Sequence, residues 1–289
     1  MKIINENRRV GTPDLFEDIG KKLLHGQIID CLKRNEPIGF VLPGFPCKSS
    51  NTTTKVLGKL PDKGEELALR KLHELCESIR KIHKPGAQVL IVSDGRIFAD
   101  LVNVCDNDIT KYHEELKRMN TSHNISLINL EDLITQSSFK ELRKVLLDKF
   151  GMSLDDVRNE IKSSKDTKNL YLGLTRFMMD DLKVEDGESN NSFRKRCKKI
   201  ALQMVQRSRS YDNLINSRFP NLIRLSIHPH STANNKFGIN LISNDDSWGT
   251  PWHNVAVRCK DGSFKLVKKK FAKSCKLIFE NGRPSYFQE

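Results

Sequence analysis

The sequence predicts an α/β fold: a mostly parallel sheet wrapped by helices, with a helical middle segment and C-terminal antiparallel strands. Three observations carry this. Short apolar runs alternate with amphipathic helical stretches through residues 1–130, the pattern of strand–helix–strand crossovers in a parallel sheet. Residues 131–220 read as helical and heavily charged, and residues 221–289 change to period-two alternation with turn signals. No Pro/Ser-rich linker separates these stretches. One domain over 1–289 is therefore expected, made of an α/β half (1–130), a helical middle (131–220) and a β-rich C-terminal part (221–289).

Taken in order, Ile38–Leu42 is the first candidate strand. Asp62, with Glu65 three residues later, makes a capping pair before the helical stripe Ala68, Leu72, Leu75, Cys76 and Ile79. Lys84-Pro85-Gly86 stops that helix. Val89–Val92 is a buried-strand run, Asp108–Met119 presents Ile109, Tyr112, Leu116 and Met119 on one helical side, and Ile125–Leu130 reads as a third strand. After the charged helical stretch, Asp180–Asn191 has the composition of a solvated segment. A longer helix over Phe193–Ile215 carries the stripe Phe193, Cys197, Ile200, Ala201, Met204 and Tyr211. Ile223–Ile227 and Phe237–Leu241 then alternate, and Val255–Val257 leads through an Asp261-Gly262 turn to Phe264–Val267.

Composition narrows the class of protein. With 37% hydrophobic and 29% charged residues, the 289-residue chain can bury a sizeable core. No apolar run approaches the roughly 20 residues of a membrane-spanning helix. The start, MKIINENRRV, has no signal-peptide apolar core. Seven cysteines, an odd number without CxxC or Cys/His metal spacing, read as reduced thiols. A cytoplasmic protein with no metal and no membrane contact is expected. The formal net charge of +13 suits nucleic acid, anionic small substrates or solubility alone. Aromatic residues make up only 7% and are not interleaved with basic ones, so a base-stacking surface is not expected. The chain has no GxGxxG, Walker A loop, GxSxG elbow or kinase signature, which argues against nucleotide chemistry.

The most distinctive segment follows the first strand. Roughly eighteen residues separate it from the helix signal at Pro61-Asp62, where about 2–6 are usual, and long ordered connections bind ligands or cover sites. Lys48 and Lys55, set among Ser49, Asn51 and other polar side chains, suit an anion. Ser93-Asp94-Gly95-Arg96, with Asp100 nearby, lies at the carboxyl end of a central strand, where open α/β sheets bind ligands. The same residues also fit a tight turn with a surface arginine. Alternation puts Arg224, Ser226 and His228 on one strand face, either lining a pocket or meeting solvent. In Thr250-Pro251-Trp252-His253 an aromatic wall adjoins an imidazole, suited to acid–base work or to a structural bond. Arg207 falls at the edge of the long helix's apolar stripe and needs a partner, either a carboxylate or a bound phosphate.

Several blocks recur together: PCKSSN (46–51), KVLG (55–58), PDKGEELAL (61–69), SDGRIFADLV (93–102), Gln206-Arg207, IRLSIHP (223–229), KFG (236–238) and TPWHN (250–254). In this order they resemble the pyoverdine/dityrosine biosynthesis family, the isocyanide (isonitrile) synthases, over about residues 20 to 270. The run Ser50–Thr53 is more polar than that family's pattern, and Asn103 stands where Gly is expected.

The resemblance implies that residues 1–130 are the Rossmann-like half of a catalytic domain that joins the amino group of a free L-amino acid to the C2 carbonyl of ribulose 5-phosphate. That carbon ends as the isonitrile carbon of a secondary-metabolite precursor. It implies no cofactor, and a downstream iron/2-oxoglutarate oxygenase as a partner acting on the product. An N-formyl-forming dityrosine-type enzyme is the alternative within the family, and a basic RNA- or polyanion-binding protein is the alternative outside it. The expected catalytic residues are His228, His253, Asp94 and Lys48. The expected substrate-binding residues are Ser49, Asn51, Lys55, Arg96, Asp100, Arg207, Arg224, Ser226, Lys236 and Trp252. In this scheme Lys48, Lys55 and Arg207 hold the phosphate, supported by Ser49 and Asn51. Asp94 and Arg96 position the ammonium and carboxylate, His228 and His253 shuttle protons, and Trp252 walls the side-chain pocket.

Overall fold

Hydrophobic patterning sets the layers of the structure, a computed structural model that describes residues 1–232, 236–242 and 249–289. Helices α1 (Lys2–Glu6) and α2 (Lys21–Arg34) precede β1 (Ile38–Pro43). Then come α3 (Lys63–Arg80), β2 (Ala87–Val92), α4 (Gly95–Phe98), α5 (Asp106–Met119) and β3 (Ile125–Ile128). The middle is α6 (Phe139–Phe150), α7 (Leu154–Ser163), α8 (Lys165–Asp181) and α9 (Asn190–Arg218). The chain ends with β4 (Ile223–Ser226), β5 (Lys236–Gly238), β6 (Val255–Arg258), β7 (Phe264–Val267), β8 (Lys276–Glu280) and β9 (Arg283–Gln288). Among the described residues, no helix is long and apolar enough to cross a membrane.

The main sheet runs β3-β2-β1-β4-β5, with every neighbouring pair parallel. Alternation along β1 sends Phe40 and Leu42 into one core with α2 and α3, and Val41 into another with Leu214 and Ile215 of α9. A sheet covered on both faces needs such continuous apolar strands. Emptying one fully buried position, such as Leu72 on α3, to Ala would cost about 2–5 kcal/mol. The capping pair at the start of α3 forms as expected: Asp62 accepts from the Gly64 N–H, and Glu65 accepts from the Asp62 N–H.

The main sheet crosses the boundary expected at residue 221. The alternating runs at Ile223 and Phe237 supply β4 and β5, which extend the parallel sheet instead of forming hairpins. The helical middle is the reason, because it is one long crossover that returns the chain to the open edge of β1. Only β6–β9 form the second sheet, ordered β7-β6-β9-β8, with two antiparallel hairpins joined by a parallel β6–β9 pair.

This strand order fixes where a ligand can sit. Successive strands run from β1 through β2 to β3 on one side, whereas β4 takes the other side of β1. The order reverses there, and the crevice beyond the carboxyl ends of the strands at such a reversal is the ligand site of open α/β sheets.

Candidate active site

The long connection after β1 is tied down along its length. The Gly44 N–H donates to the Val92 carbonyl, the Ser49 N–H to Trp252, and the Lys269 and Lys270 N–H groups to Lys55 and Thr54. Asn51 Nδ2 donates to the Asp180 carbonyl at 2.9 Å, and Ser49 Oγ to Asp181 at 3.2 Å. Both residues fasten the loop to the end of α8.

Lys48, expected to hold phosphate and take part in catalysis, has its ammonium taken up by protein groups. Its ammonium donates to the Pro251 carbonyl at 3.0 Å and pairs with Asp62 at 2.8 Å and Glu65 at 2.7 Å. An ammonium has three hydrogens, and three acceptors surround this one. Burial opposes its charge, but the two carboxylates more than reverse that and raise its pKa. Burial also pushes the Asp62 carboxyl up to about 7, against the pull of Lys48. Lys55 is likewise neutralised: it pairs with Asp181 and, at 3.0 Å, with Asp180, and lies 4.6 Å from the Phe177 ring centre.

Arg96, Asp100 and Arg207 form a second closed network. Arg96 is 1% exposed and is engaged by Glu131, Asp106 and Thr110, with Phe139 stacked at 3.9 Å. Both terminal nitrogens of Arg207 bind Asp100, which also meets Arg143. Asp100 is the carboxylate partner that the sequence allowed Arg207. Trp252 is a core residue, 2% exposed and packed on Phe45 with ring centres 5.1 Å apart.

The remaining candidates gather at the crevice. Asp94 follows β2, and its Oδ1 is buried without a donor. Burial pushes this carboxyl up to about 6, against the pull of Arg224. Arg224 gives Nη2 to Asp212 at 2.9 Å, while its Nε and Nη1 are buried and have no acceptor. Lys236 reaches the other Asp212 oxygen at 2.6 Å. His228 keeps an exposed ring although protein surrounds it, as expected of a side chain on a concave wall. Burial first, and then the charges of Arg9 and Lys236, lower its pKa. Ser226 Oγ accepts from the His228 N–H and meets His230 Nε2 at 3.0 Å. His253 rests edge-on against Phe177 at 4.8 Å, with Nδ1 buried and unpartnered. Burial, with Lys55, Lys48 and His228 nearby, pushes it down to about 3, so it stays neutral.

Buried polar atoms normally find partners, but Asp94 Oδ1, Arg224 Nε and Nη1, His253 Nδ1 and Thr250 Oγ1 have none. That is the character of a site shaped for a polar ligand. The sequence reading missed Asp181, Asp212 and Arg9. Asp181 sits in a stretch of solvated composition, yet it falls three residues after Met178, on the buried face of α8. Asp212 directly follows Tyr211, a stripe residue whose hydroxyl donates to the Val92 carbonyl at the end of β2. Arg9 arrives through isolated bridges at Arg8–Ile239 and Val10–His230, which no local pattern announces.

A parallel sheet with polar side chains at its reversal point is the layout of an α/β enzyme. The profile of the pyoverdine/dityrosine biosynthesis protein family matches residues 28–278, and the chain belongs to that family. It is 41% identical to the L-tryptophan isonitrile synthase AmbI2 of Fischerella ambigua, over 89% of this chain and 79% of that protein. It is 37% identical to an L-tyrosine isonitrile synthase of Xenorhabdus nematophila, over 89% and 79%. The crystal structure of the PvcA protein from Pseudomonas aeruginosa superposes with a TM-score of 0.93 at 34% identity, covering 99% of this chain and 97% of that one. The chain is an enzyme of the isonitrile synthase kind.

Proposed function

We propose that this isonitrile synthase condenses the amino group of a free L-amino acid with the C2 carbonyl of ribulose 5-phosphate. The observation that carries this reading is the set of orphaned donors and acceptors on Asp94, Arg224, Thr250 and His253, with positive charge from Arg9 and Lys236 at His228 and from Lys236 and Arg224 at His230. The phosphate locus assigned here is the wall formed by Lys236, Arg9 and His228, where the charges of Arg9 and Lys236 reach the imidazole.

As the amine attacks C2, a carbon–nitrogen bond forms and one proton passes from nitrogen to the carbonyl oxygen; a second proton lets that oxygen leave as water, and the nitrogen gives up its second proton to leave the imine. Groups that move protons work best with a pKa near the operating pH. Asp94, near 6, meets that condition, whereas His253, near 3, does not. Asp94 therefore carries protons, the exposed His228 is the second group assigned to proton transfer, and His253 orients the substrate through Nδ1. The partly buried Phe177 ring beside His253 provides the apolar wall first expected of Trp252, consistent with the tryptophan and tyrosine synthases among the relatives.

The test is incubation with ribulose 5-phosphate labelled with ¹³C at C2 and a panel of L-amino acids, read by mass spectrometry. A labelled isonitrile is the expected product. A labelled formamide that is not a hydrolysis product replaces this reading with the N-formyl one, and an unlabelled isonitrile removes ribulose 5-phosphate as the carbon source.

A further inference from the structure

The geometry points to a clamp for the two charged ends of an α-amino acid, with Arg224 receiving the carboxylate and Asp94 the ammonium. It rests on the reading above that the substrate is a free amino acid. Arg224 is 8% exposed, yet only Nη2 has an acceptor, so two donor groups lack both water and partner. Asp94 has the complementary defect, a buried oxygen without a donor. Leaving such groups unsatisfied is costly, and a direct bridge between the two would satisfy both. No such bridge forms, although each charge is felt at the other.

The fold maintains this separation. Asp94 follows β2 and Arg224 lies on β4, with β1 between them, so the pair straddles the reversal in strand order. Asp212 holds Arg224 from the α9 side, and the Tyr211 hydroxyl is already committed to Val92. A ligand that satisfies both groups must be negative at the Arg224 end and positive at the Asp94 end. A phosphate alone would satisfy Arg224 but repel Asp94. An α-amino acid carries both charges one carbon apart, and its ammonium supplies the hydrogen-bond donors that Asp94 lacks. This pose also sets the nucleophilic nitrogen beside the carboxylate suited to take its proton, and leaves the Lys236 and His228 side for the second substrate. Arg224 thus takes the role the sequence reading gave to Arg96.

Calorimetric titration without sugar phosphate tests the clamp. The probes are L-tryptophan, L-tyrosine, tryptamine and indole-3-propionate, extended to all twenty L-amino acids if neither aromatic acid binds. The amino acid that binds is compared with its decarboxylated and deaminated analogues. Wild type is expected to prefer the intact amino acid over each analogue by roughly 10- to 100-fold. Arg224→Gln should lose its preference over the amine alone, and Asp94→Asn its preference over the deaminated acid alone. Arg224→Lys and Asp94→Glu, with circular dichroism as a folding control, serve if the first variants do not fold. They are expected to weaken the same preferences selectively. Equal binding of acid, amine and amino acid by wild type would overturn the clamp, as would variants that lose both preferences together or no L-amino acid binding at all. Clamp-like selectivity without isonitrile formation would instead count against the proposed reaction and leave the clamp standing.

Discussion

Arg224 and Lys236 are register partners on adjacent parallel strands, and both reach the carboxylate of Asp212 on α9, one to each oxygen. Like charges placed directly opposite destabilise a sheet, so the carboxylate from the helix layer lets β4 and β5 pair with their cations facing the crevice. Asp212→Ala is expected to lower stability by about 2 kcal/mol, the scale of hydrogen bonds to charged groups, and to raise the KM for both substrates more than it lowers kcat. Urea unfolding and steady-state kinetics check this; unchanged KM values would reduce Asp212 to a structural tie.

The Lys48 cluster makes a different prediction. Lys48→Ala abandons two carboxylates in a dry pocket, and breaking a buried pair costs about 3–5 kcal/mol. The triple variant Lys48→Met, Asp62→Asn, Glu65→Gln should recover most of that stability in chemical denaturation. Any folded fraction of Lys48→Ala should keep its KM for sugar phosphate, since the ammonium is enclosed by Pro251, Asp62 and Glu65.

His113 on α5 gives the protein a built-in sensitivity to acid. It is 3% exposed, neither ring nitrogen has a partner, and burial pushes its pKa down to about 4. In the unfolded chain it titrates near 6.5. The stability it allows is full above that value and falls with pH until the folded group itself protonates. From pH 8 to pH 5 the stability of His113→Leu should therefore shift by about 2 kcal/mol in favour of the variant. Thermal melts at the two pH values check the sign, and a constant difference would refute it.

Phe177 touches both His253 and Lys55. Replacing it with Ala should raise the KM for an aromatic amino acid about tenfold, the scale of one aromatic contact, and leave the KM for sugar phosphate within about twofold. An equal rise in both would make the ring a general support for His253, not a wall of the side-chain pocket.

The local parts of the fold were legible in the sequence. The Asp62–Glu65 cap, the apolar stripe of α3 and the three strands of the first half depend on neighbours a few residues apart. The second hairpin was also within reach, because Asn281-Gly282, both at positive φ, is a turn signal between alternating strands. Partner choice was not legible. Lys55 meets Asp181 across 126 positions and Arg207 meets Asp100 across 107, so residue type announced a cation without saying whether a protein carboxylate would neutralise it. Membership of a sheet fails in the same way, since β4 and β5 look like any alternating run until α9 returns them to β1.

The fastening of the loop after β1 also bears on how fast ligands bind. A segment that must fold over its ligand adds a slow step and loses chain entropy on arrival. Here the cations are already balanced and the backbone is already pinned to α8 and the second sheet. Encounter then reduces to a single bimolecular event: rapid-mixing traces should be single exponentials, with a rate that climbs linearly with ligand concentration and reaches no plateau.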